Sequence, residues 1–165
     1  MAAGNYSFTI EQGATTDFEI VYKDSAGNPI DLSGYQARMH LRKSADEAST
    51  YLILSSSLQA DGTGLNLSGS GGQSASTPPS SGSIGVFISA MSSSQLTFTS
   101  ALYDLEIASG SGNCAVVTRL LEGVVTLSKN ADKTAVTEHN ITTRPHMEPP
   151  LFLYASTANH SKTPV

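Results

Sequence analysis

An all-β fold, an antiparallel β-sandwich, is what this sequence predicts, and three observations predict it. Apolar residues alternate with polar ones along several short stretches, as in Tyr35, Ala37, Met39 and Leu41 set between Gln36, Arg38, His40 and Arg42. Turn-forming groups such as "KDSAGNP" and "ASGSGN" separate these stretches at short intervals. No long stretch carries helical periodicity, which leaves a sandwich or barrel as the economical way to bury so many one-sided strands.

In chain order, Tyr6, Phe8 and Ile10 alternate through a first strand that Gln12-Gly13 breaks. Phe18, Ile20 and Tyr22 alternate through a second, so this pair is either a hairpin or an exchange between two sheets. Asn28-Pro29 opens a turn, because proline fixes its own φ and biases the preceding residue to extended geometry. The strand that follows it, within "GNPIDLSGYQARMHLRK", has one apolar face and one wet, basic face. "YLILS" at 51–55 is too short to assign by period, and Leu65 with Leu67 marks a further short strand.

Residues 68–83, "SGSGGQSASTPPSSGS", show no buried face and read as an exposed loop, mobile unless a neighbour pins it. Ile84, Val86 and Ile88 resume strand alternation, and "SAMSSSQL" suits one helical turn with Ser89 as its cap. Tyr103, Leu105 and Ile107 define the next strand. Its return strand spans about 115–129, with Leu121, Val125 and Leu127 pointing one way around Gly123. A glycine there marks a bulge or a close backbone approach.

The chain has 165 residues, enough for one sandwich domain over 1–130 and an extended C-terminal arm over 131–165. The arm contains Pro145, Pro149 and Pro150, which disfavour both helix and central strand. Beside them stands the apolar cluster Leu151, Phe152, Leu153 and Tyr154, a costly choice for an unstructured tail. The arm folds back on its own sandwich, docks on another subunit as an extended arm, or is plainly disordered, and the first two account best for the cluster. Pro149, Pro150, Leu151, Phe152, Leu153 and Tyr154 are therefore the expected partner interface.

Charged residues make up 14% of the chain, well under the roughly 25% of an average soluble domain. A net charge of −5 argues against nucleic acid as a partner. No apolar run approaches the roughly 18 residues of a membrane span, and "MAAGNYSFTIEQG" has neither the basic nor the apolar region of a secretion signal. The single cysteine, Cys114, excludes an internal disulfide framework and suits a reducing cytoplasm.

No catalytic constellation emerges. His40, His139, His146 and His160 match no common metal-ligand spacing. The glycines at 62–72 lack the context of a phosphate loop, and GxSxG is absent. Asp24, Asn28 and Asp31 fit turn chemistry better than a calcium loop. Asp104 and Glu106, two apart on a strand, share its outer face and read as solvated carboxylates unless folding brings a third group to them. The expectation is a non-enzymatic chain with no cofactor and no metal.

Three ordered segments, "FTIEQGATTDFEIVYKDSAGNPIDLSGYQARMHLRKS", "GSIGVFISAMSSSQL" and "YDLEIASGSGNCAVVTRLLEGVVTLSK", carry a resemblance. Together they resemble small virion proteins of tailed phages, especially contractile-tailed cyanophages, and the N-terminal domain of phage baseplate upper proteins. The matching features are an early glutamine (Gln12), the "PIDLSGY" turn and strand, and a closing "YDLEI…RLLEG" hairpin, covering about residues 5–129. The resemblance implies an immunoglobulin-like or jelly-roll-like sandwich, made in the host bacterial cytoplasm, that works in the virion through repeated contacts with other virion proteins or with its own copies. Tail, baseplate or neck is the expected place. A capsid decoration protein is the alternative, and a host-carbohydrate-binding module, disfavoured by the absence of tryptophan, comes after it.

Overall fold

The computed structural model describes residues 3–110 and 115–131. Two packed β-sheets form the body. Nine strands are seen among the described residues: β1 (Gly4–Asn5), β2 (Phe8–Glu11), β3 (Thr16–Val21), β4 (Tyr35–Arg42), β5 (Leu52–Ser55), β6 (Gly64–Asn66), β7 (Ser83–Ile88), β8 (Ser100–Ser109) and β9 (Val116–Ser128). One helical turn, α1 (Ala90–Ser94), follows β7, and Ser89 Oγ caps it by accepting from the Ser92 N–H at 3.0 Å. The large sheet runs β1-β9-β8-β4-β5 with β2 also on β9; the small sheet runs β3-β7-β6.

The alternation in the sequence becomes the core directly. Ala37, Met39 and Leu41 of β4, Leu105 and Ile107 of β8, and Val125 and Leu127 of β9 point inward. They meet Leu65 of β6 and Ile84, Val86 and Ile88 of β7 in one cluster. Removing this apolar surface from water is the main stabilising term, at about 25 cal/mol per Å2.

The expected all-β sandwich is present, but its pairing is not antiparallel throughout. β1 and β2 pair with β9 in parallel, Phe8 opposite Val125 and Ile10 opposite Leu127. The N-terminal segment and β9 are separated by about a hundred residues of sequence, so no tight hairpin constrains them to run oppositely. Of the two readings for the first pair of strands, sheet exchange is the one adopted: β2 lies in the large sheet and β3 in the small one. Gln12 secures that crossing. Its Nε2 donates to the Leu96 carbonyl at 2.7 Å, and its Oε1 accepts from the Asn130 N–H at 3.2 Å. Ser93 Oγ accepts from the Gly13 N–H and donates to the Ala14 carbonyl at 2.8 Å.

The segment 68–83 departs from expectation. It is neither free of burial nor dependent on a neighbour, because its first part lies across the outer face of the small sheet. Gly85 of β7 leaves the space that the Gly69 backbone occupies; any Cβ there would collide with it. Glu19 and Asp17 of β3 accept from the Ser70 and Gly71 N–H groups at 3.2 and 3.1 Å, while Asn66 Nδ2 donates to the Gly72 carbonyl at 2.7 Å. Two short 3-10 turns, Gly72–Ser74 and Pro79–Ser81, complete the path. Gly72 packs against the ring of Phe87.

Candidate functional site

With the small sheet covered by its own loop, the large sheet presents the other broad face of the sandwich. Its outward residues follow from strand register. His40 of β4 stands opposite Asp104 of β8, Asp104 opposite Glu122 of β9, and Glu122 opposite Asn5 of β1. In the next row Arg38 stands opposite Glu106, and Glu106 opposite Arg119. Leu102 and Val124 close one end of the face, and Ala108 and Val117 the other. Leu102, Val124, Val117 and Ile53 are all 40% or more exposed.

One irregularity organises the charges. The register shifts between Leu105 and Glu106, so that Leu105 pairs with Leu121 while Glu106 pairs with Arg119, leaving Leu120 as a bulge residue. A bulge adds one residue and re-aims its neighbours. Arg119 thereby reaches three carboxylates: Asp104 at 3.4 Å, Glu122 at 3.6 Å and Glu106 at 3.8 Å. Without it Asp104 and Glu122 would be like charges directly opposite, a destabilising pair. Arg38 approaches Glu106 from the other side, with Nη2 at 2.7 Å and Nε at 2.8 Å from Oε2. That two-pronged contact is the strongest on the face.

Arg42 Nη2 donates to His40 Nδ1 at 3.0 Å, and its Nη1 donates to the Glu47 carbonyl at 3.2 Å. A guanidinium has no acceptor, so His40 Nδ1 is the acceptor in this contact. These groups line a groove of about 670 Å3 bordered also by Asn5, Ser44 and Ala45.

Asp104 and Glu106 are thus joined by groups from other strands, but those groups are arginines. Glu106 is held between Arg38 and Arg119, while Asp104 meets Arg119 alone. Among the described residues no set of three His, Cys, Asp or Glu side chains could hold a metal ion. Asp24 does turn work, accepting from the Ala26 and Asn28 N–H groups at 2.9 Å. Arg119 was missed in the sequence because strict period two places it on the same side as Leu121. Only the bulge turns it out.

A second polar cluster, outside this face, ties β6 to α1. Asp61 Oδ2 accepts from Ser89 Oγ in a very short hydrogen bond and from Ser92 Oγ at 2.7 Å; Oδ1 accepts from the Thr63 N–H at 3.0 Å. Burial by itself would raise the Asp61 carboxyl, but the bonds from Ser89, Thr63 and Ser92 outweigh it and hold the group at about 2. Thr63, wholly buried, donates to Ser92 Oγ and accepts from the Ser89 N–H.

The predicted partner residues Pro149, Pro150, Leu151, Phe152, Leu153 and Tyr154 lie outside the described residues, as do Cys114, His139, His146 and His160. The fold and face define an all-β sandwich with a charged outer sheet. No protein-family model matches the chain, and no curated protein matches it in sequence.

Proposed function

We propose that this chain is a non-enzymatic structural protein of a tailed-phage virion, placed in the tail, baseplate or neck, acting through repeated contacts with other virion proteins. The observation that carries this reading is the outer face of the large sheet. It sets mutually paired charges of both signs between exposed apolar side chains, the composition of a surface that meets another protein. The ordered resemblance over residues 5–129 supplies the class of particle. In a symmetric assembly each contact contributes modestly and repetition supplies the rest. The C-terminal arm, with Pro149 to Tyr154, serves as a second anchor in this reading.

Two measurements test it. Mass spectrometry of purified virions should find the chain in every particle, in a few or a few dozen copies; hundreds would move it to the capsid surface as a decoration protein. Deleting residues 138–165 should leave a folded, soluble domain that no longer enters particles. An unfolded truncated chain would make the arm part of the core and remove its anchoring role.

A further inference from the structure

We infer that the outer face of the large sheet packs against the same face of a second copy of this chain, about a two-fold axis parallel to the strands and midway between β4 and β8. The inference rests on reading that face as the working surface, and it names the partner.

The layout of charge selects both partner and axis. Outward on β4 lie Arg38, His40 and Arg42; outward on β8, in register with them, lie Glu106, Asp104 and Leu102. Rotation about an in-plane axis between the two strands exchanges β4 and β8 while keeping height along the strands. It sets Arg38 over the second copy's Glu106, and His40 over the second copy's Asp104. By symmetry each contact occurs twice. A two-fold across the strands reverses the order and stacks Arg38 over the second copy's Arg42, a like-charge clash. The favoured axis also leaves the strands of the two sheets aligned, the common geometry for stacked sheets.

The side chains leave room for such contacts. Arg38 is 58% exposed at its side chain and Asp104 38%, so their internal bonds leave donor and acceptor positions free, while Glu106, 17% exposed between Arg38 and Arg119, meets the second copy's Arg38 chiefly as a charge. Leu102 with Val124 at one end, and Val117 at the other, supply apolar area around the charged centre. Four strands about 4.8 Å apart and four outward rows about 6.8 Å apart give roughly 500 Å2 per copy. The total of about 1,000 Å2 is the lower end of specific interfaces, so the dimer should form with rising concentration.

The test is sedimentation of the full chain over a wide concentration range at low salt. The expected result is a monomer–dimer equilibrium that weakens as salt rises. Arg38→Glu alone and Glu106→Arg alone should each weaken it by at least about tenfold, since each places like charges face to face twice. Mixing the two single variants should restore dimers, as each supplies the charge the other lacks, and the double variant should restore them within one chain. A merely structural role for the Arg38–Glu106 pair would not produce recovery on mixing. A wild-type chain monomeric at every concentration, or a dimer indifferent to salt and to both swaps, would overturn the inference. Should either variant fail to fold, the salt dependence of the wild-type chain still decides. A monomeric chain found in purified particles would leave the structural role standing and remove only the self-pairing.

Discussion

The Tyr103 hydroxyl donates to the Tyr6 carbonyl oxygen at 2.6 Å, beside Gly123. Gly123 is the β9 partner of Tyr103, and a Cβ on it would run into the Tyr6 carbonyl. The bare glycine lets the β1–β2 link pass close over β9, and the tyrosine then fastens it. Phe8 packs edge-on against the Tyr103 ring, with centroids 5.3 Å apart.

Tyr103→Phe should cost about 1 kcal/mol, the net worth of one hydrogen bond, by chemical denaturation. Gly123→Ala should cost more, about 1–3 kcal/mol, because backbone must move rather than a side chain. A Gly123→Ala variant as stable as wild type would show that the link is not held against β9.

Burial first, and then the neighbouring Tyr6, push the Tyr103 hydroxyl up to about 12. Its folded value lies above its unfolded one, so its contribution to stability is full below pH 10 and is lost as pH rises toward 12. Tyrosinate absorbance should show a late-ionising phase, and Tyr103→Phe should abolish that phase.

Asp61 behaves oppositely. Its folded value, about 2, lies below the ordinary 3.8, so its stabilisation is full above 3.8 and is lost as pH falls toward 2. With solvent reaching part of the group, the effect should be about 1–2 kcal/mol. Thermal melts of wild type and Asp61→Asn at pH 7 and near pH 2 should converge at the acid end. A constant gap would assign the loss to packing instead.

Gly85→Ala should lift the covering segment from the small sheet without unfolding the core. Proteolysis within 68–82 should accelerate severalfold while the large sheet keeps its amide protection. Equal proteolysis in both proteins would mean that the segment is held elsewhere.

Arg119→Ala should expose Asp104 and Glu122 to each other. The cost should be under about 1 kcal/mol, because these groups are half exposed, and it should shrink in high salt.

Much of the body was legible in the chain. Period-two alternation at Tyr35–Arg42 and around Tyr103–Ile107 is a consequence of one-sided burial, and the same residues line the core. Gly123 signalled a bulge or a close approach, of which the approach is what the structure shows, and Ser89 signalled a cap, because both are local demands of the backbone. The covering segment at 68–83 was not legible. Composition describes what a segment does alone, whereas Gly85, Asp17 and Glu19 that receive it are distant in sequence. The charged face was half legible: Arg38, His40, Asp104 and Glu106 were assigned to wet faces, but not to each other.

By itself, then, the order of residues determined which side of each strand is greasy, where the turns fall and where the helical turn begins, since these depend on neighbours within a few positions. Tertiary structure alone decided the parallel seating of the N-terminal strands, the glycine-backed covering of the small sheet, and the bulge that brings Arg119 to three carboxylates. Each of these depends on which distant strand lies alongside, and a one-residue slip in that pairing would send the same side chains to the opposite face.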